Sequence, residues 1–150
     1  MANPFPFVAN TVLTAAQLNG IGEAWTSYTP TVKGGATTIS QTIVYAKYAV
    51  VNKCVFVQAL VTATSAGAAS GAITFSLPVA ALTASDSRVI GTLFIKDTGT
   101  AFYMGAAMLT TTTTVMGLSY NSGGQMGAAS PTMTIASGDE ISISVMYEIA

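Results

Sequence analysis

The chain is 150 residues long, and only 7% of them are charged: five Lys or Arg, six Asp or Glu, no His, net charge −1. That is about one domain's length with well under the usual ~25% charge, and it excludes an electrostatic grip on nucleic-acid phosphates, which needs clustered basic residues. No run approaches the ~18 apolar residues of a membrane helix, one Cys forms no intrachain disulfide, and the commonest metal ligand and general base is missing altogether.

Met1 to Phe7 lacks a positively charged start and is interrupted by Pro4 and Pro6, so no secretory signal is expected there. The prolines favour extended chain with Phe5 and Phe7 on one side. Thr14 and Gln17 have capping-box spacing, and Leu18, Ile21 and Trp25 recur at helical intervals. A short helix of about ten residues is therefore expected, too short to be stable alone. It packs either on its own domain or, as part of an arm over residues 1–25, on a partner. Phe5, Phe7, Leu13, Leu18, Ile21 and Trp25 are the candidate attachment residues. Trp25, at the helix-to-strand junction, is expected to be a buried anchor.

From residue 26 to 150 the pattern is that of strands. Tyr28 to Val32 reads as an edge or first strand ended by Gly34-Gly35, and Thr42 to Val51 as the next, turning at Asn52-Lys53 into Cys54 to Thr62. A small-residue loop over 65–71 precedes Ile73 to Leu77, which Pro78 stops. Further strands are expected at Val89–Lys96, Ala101–Leu109, Thr113–Tyr120 and Glu140–Glu148, separated by Gly-, Asn- and Asp-rich turns. Short, regularly spaced strands without a further helix indicate an all-β domain, an antiparallel β-sandwich of jelly-roll type.

No enzymatic constellation emerges. Asp139 and Glu140 are adjacent, so on a strand they face opposite ways and make a poor acid–base pair or Ca²⁺ site. Asp86 and Arg88 suit a surface ion pair. Cys54 lies in an apolar strand with no His to activate it, which suits a buried structural thiol. The glycines at 67–71 lack the Lys-Ser/Thr of a phosphate cradle, and Thr110 to Thr114 reads as a strand end or turn. No cofactor is expected. With 22 Thr and 13 Ser, hydroxyls wet part of the surface in place of charge. The rest is expected to be covered by other subunits, a role suited to the soft side chains of Met104, Met108, Met116, Met126, Met133 and Met146, any of which fits the core equally well.

Leu13-Thr14-Ala15-Ala16-Gln17-Leu18-Asn19, followed by Trp25-Thr26-Ser27-Tyr28-Thr29-Pro30-Thr31, resembles the opening of a family of small tailed-bacteriophage virion proteins: fibre, knob or decoration subunits. Tyr45-Ala46-Lys47-Tyr48 through Asn52-Lys53 to Val55-Phe56-Val57 continues the pattern, although Asn52 stands where the family usually has Gly. Leu77-Pro78-Val79 and Ser137-Gly138-Asp139 before Ile141 to Tyr147 also fit. The resemblance implies a non-enzymatic homotrimer, assembled in the host cytoplasm and displayed on the virion. Its partners would be other copies, the major capsid protein or tail components, and a host surface glycan, with neither nucleic acid nor membrane. Lacking the repeats of a fibre shaft, the chain suits a capsid decoration or cement protein or a short head fibre. The alternative is a tail-fibre or receptor-binding knob with Phe102, Tyr103 and Tyr120 on its tip loops. A second alternative is a carbohydrate-binding module stacking sugars on Trp25 and tyrosines.

Overall fold

A computed structural model describes residues 12, 25–65, 71–83, 88–99, 101–119, 124–128 and 132–150. Residues 14–24 of the expected helix, and all attachment candidates except Trp25, lie outside the described residues. Ten strands run in chain order: β1 (Thr26–Ser27), β2 (Val32–Gly34), β3 (Thr37–Thr38), β4 (Gln41–Val51), β5 (Cys54–Ala63), β6 (Ile73–Ser76), β7 (Arg88–Asp97), β8 (Ala101–Thr111), β9 (Thr114–Ser119) and β10 (Glu140–Glu148). The described residues contain no helix, and none that could cross a membrane.

The ten strands form one continuous sheet in the order β1-β4-β5-β10-β7-β8-β9-β6-β2-β3, with every pairing between them antiparallel. Strand β3 ends the order and β4 stands second, so a flat sheet would hold them about 38 Å apart, eight spacings of ~4.8 Å. Yet Thr38 and Gln41 are three residues apart, a reach of at most ~11 Å. The sheet must curl. Residues 39 and 40 are the seam: Ile39 N–H donates to the Val32 carbonyl at 2.9 Å, and the Ser40 carbonyl accepts from Thr64 N–H at 2.8 Å.

Alternation along the strands gives the curled sheet one apolar inner face. Val55, Val57, Ala59, Val61 and Ala63 of β5, Ile141, Ile143, Val145 and Tyr147 of β10, and Leu93 and Ile95 of β7 point inward. They share a single core with Val32, Ile73, Phe75 and Val115 from the other end of the order. Met126 is fully buried over Gly105. A Cβ on Gly105 would run into the Leu118 carbonyl oxygen and crowd the Met126 sulfur at 2.5 Å, so a bare backbone is required there.

The strand reading of Tyr28 to Val32 is corrected: the chain pairs before it, in β1, and after it, in β2, while Tyr28 to Thr31 crosses between them. Pro30 has no N–H for a ladder, and its carbonyl accepts instead from the Gln41 side-chain amide at 2.6 Å. Asn52 turns the β4–β5 hairpin with φ 57°, a left-handed conformation that Asn tolerates.

Candidate functional site

Strands β4, β5, β10, β7 and β8 lie side by side, and their registers place the residues of the outward face in rows. One row crosses Tyr45, Leu60, Ser142, Phe94 and Met104; the next crosses Lys47, Gln58, Ser144, Thr92 and Ala106. A third carries Ala49, Phe56 and Met146. Large apolar groups thus stand in solvent: Met104 is 59% exposed, Met146 53% and Phe102 71%. Phe102 stacks on Phe94, ring centroids 6.0 Å apart.

Trp25 belongs to this face. Thr26 pairs with Tyr48 of β4, which sets Trp25 one position further on, beside Ala49. With Phe56, Ile90 and Met146 it borders a hollow of about 340 Å³ whose floor includes Gly91. A Cβ on Gly91 would run into the Ser144 carbonyl oxygen, so the missing side chain is what lets β7 and β10 close up there. The expectation of a buried Trp25 anchor is corrected: its indole is 48% exposed. It joins the sheet through a two-residue strand at the edge.

Charge is confined to the margins of this face. Lys96 Nζ contacts Glu140 Oε1 at 2.9 Å at one end, and Arg88 Nη2 lies 4.0 Å from Glu148 Oε2 at the other. Lys47 stands on β4, beside the edge strand. Between them the polar groups are small and neutral: Gln58, Thr92, Ser142 and Ser144.

The tip-loop candidates are also corrected. Phe102 and Tyr103 lie inside β8, and as neighbours on a strand they face opposite ways: Phe102 outward, Tyr103 against the core. Tyr120 lies outside the described residues. Cys54 is half-buried on the outward side of β5, opposite Val51 and Glu148, rather than buried in the core. Asp86 lies outside the described residues.

Asp139 has a role that sequence spacing did not reveal. It is 2% exposed, and its Oδ1 accepts from Thr98 N–H at 2.9 Å while Oδ2 accepts from Ala136 N–H at 2.8 Å. Thr98 Oγ1 donates back to the Gly138 carbonyl at 2.6 Å. The carboxylate therefore ties the β7–β8 turn to the entry of β10, and the Gly138-Asp139 pair was the visible signal of a turn only. Glu140 faces away, toward Lys96, as the adjacent positions require. Among the described residues no group of three or more His, Cys, Asp or Glu comes together as a metal site.

Buried Tyr147 of β10 and partly buried Tyr48 of β4 and Tyr28 gather at the edge of the core. Tyr28 and Tyr48 meet edge to face, centroids 6.0 Å apart, and Tyr147 Oη donates to the Val79 carbonyl at 2.8 Å. Burial, outweighing the opposing Val79 hydrogen bond and helped a little by proximity to Tyr48, pushes the Tyr147 hydroxyl up to about 12. Burial, followed by proximity to Tyr147, raises Tyr28 further. Such groups stay neutral and act as packing with a polar tip. No protein-family model, curated protein or solved structure matches the chain.

Proposed function

We propose that this chain is a non-enzymatic structural subunit of a bacteriophage particle, a homotrimer displayed on the capsid surface as a decoration or cement protein or a short head fibre. The observation that carries the self-assembling part is the outward face of β4-β5-β10-β7-β8, which sets Trp25, Phe56, Met104 and Met146 in solvent. Several large apolar side chains standing exposed on one sheet face, among small neutral polar groups and Lys47, favour a face that a partner covers. The virion part is supported by the resemblance carried by Leu13 to Asn19 and Trp25 to Thr31. In this proposal the two halves of the curled sheet act as the two layers of a jelly-roll-like sandwich, and residues 1–25 attach the subunit.

Counting chains per purified particle by quantitative mass spectrometry tests it. Many copies, in proportion to the shell lattice, are expected; absence from particles overturns the proposal. Deleting residues 1–24 should abolish incorporation while the strand domain stays folded, and unchanged occupancy would refute the arm. One observation favours a receptor-binding knob as the second reading: Phe102, the most exposed of the aromatic side chains described, lies close to the β7–β8 turn. In that case copies per particle would be few, and Phe102→Ala would reduce adsorption to host cells.

A further inference from the structure

We infer that the outward face of β4-β5-β10-β7-β8 is the contact between copies of this chain, centred on Trp25, Phe56 and Met146. The inference deepens the self-assembling part of the proposal and rests on that part alone: a face packed on the same face is a two-fold contact, which joins copies in pairs and is distinct from the contact around a trimer's three-fold axis. Five strands spaced by ~4.8 Å and a nine-residue central strand rising ~3.3 Å per residue span about 24 by 27 Å, or roughly 650 Å². Two such faces together remove about 1,300 Å² from solvent, within the range of specific interfaces.

The charge pattern selects a second copy as the occupant. Both ends of the face are closed by ion pairs made within the chain, Lys96 with Glu140 and Arg88 with Glu148, and Lys47 stands to one side on β4 next to Gln58, so the strands β5, β10 and β7 between them present only neutral groups to a partner. Beside the apolar row, Gln58, Thr92, Ser142 and Ser144 carry side chains that donate and accept alike. A surface with the same neutral pattern matches them, and another copy of this face has that pattern by construction. The apolar groups beside them, Phe56, Met146 and Trp25, are of the types that anchor interfaces.

Trp25 is the only tryptophan in the chain and reports directly on this contact. The experiment combines sedimentation velocity with acrylamide quenching of Trp25 across a concentration series of the full chain. Assembly should rise with concentration while quenching falls in step. Met146→Asp places an unpaired carboxylate at the centre and should weaken association about a hundredfold or more, restoring monomer-like quenching with an unchanged far-UV spectrum. Lys33→Glu, on β2 in the other half of the sheet, should leave the mass unchanged. Ser144→Cys combined with Cys54→Ser gives a second, non-disruptive readout, since oxidation should link copies covalently.

The outcomes separate the inference from the proposal beneath it. A wild-type monomer at all concentrations overturns both. A wild-type oligomer that Met146→Asp leaves intact, with Ser144→Cys unlinked, overturns this face alone and leaves the trimer standing. Quenching that is low at every concentration, including in the monomer, means that the chain's own residues 1–24 occupy the face and overturns the inference. A dimer mass lost in Met146→Asp supports the face and overturns the trimer.

Discussion

Asp139 shows how a single charged side chain contributes to a domain this poor in charge. Each carboxylate oxygen satisfies one backbone N–H, and the two donors belong to loops that are distant in sequence, at Thr98 and Ala136. Charge-assisted bonds of this sort are stronger than neutral ones. Asp139→Ala would leave two donors short of an acceptor and is expected to cost about 2–3 kcal/mol, read as a lower midpoint in urea denaturation. Glu140→Gln, by contrast, removes a half-exposed pair with Lys96, and the expected change is under about 1 kcal/mol. Two adjacent acidic residues thus differ in consequence because one faces the loops and the other the solvent.

At the scale of elements, the β4–β5 hairpin was legible because its signals are local. Apolar β-formers flank Asn52-Lys53, and Asn accepts the left-handed conformation that the turn needs. Replacing Asn52 by Ala should cost about 1 kcal/mol, since a Cβ-bearing residue without a local hydrogen-bonding side chain is strained there. Asn52→Gly should be close to neutral, and comparing the two thermal midpoints checks the claim. The same locality explains β6 and β10, each an alternating run bounded by turn residues. It also explains what was missed: β1 and β3 are two residues long and exist only because a neighbour supplies the ladder. The strand expected at Ala101–Leu109 is present as β8, whose ladder with β7 starts at Ala101; Phe102 and Tyr103 therefore belong to it, and only the receptor-knob reading places them on a tip loop.

For the whole molecule, the buried tyrosines couple folding to alkaline pH. A tyrosine in the unfolded chain ionises at about 10, whereas native Tyr147 keeps its proton to about 12. Above pH 10 the unfolded state binds fewer protons than the native one, so stability falls as pH rises. Below pH 10 this contribution is fully present; between about pH 10 and 12 it is progressively lost. Denaturant midpoints measured across that window should decline, and Tyr147→Phe should flatten the decline. The curl that buries these tyrosines also turns the opposite face of five strands outward, which is why core and candidate contact surface lie back to back on the same strands.

Composition and alternation by themselves determined that residues 26–150 form an all-β domain, that it turns at Asn52 and at Ser137-Gly138-Asp139, and that charge is too scarce to cover its surface. These follow from properties carried by each residue and its immediate neighbours: side-chain size, backbone freedom, hydroxyl or charge. Only the tertiary structure decided that the strands join in one sheet closing on itself through residues 39 and 40, that Trp25 stands in solvent beside Phe56 and Met146, and that Asp139 is a buried clasp. Strand order and register arise from pairings between residues far apart in sequence, and the direction each exposed side chain faces is set only once those pairings exist.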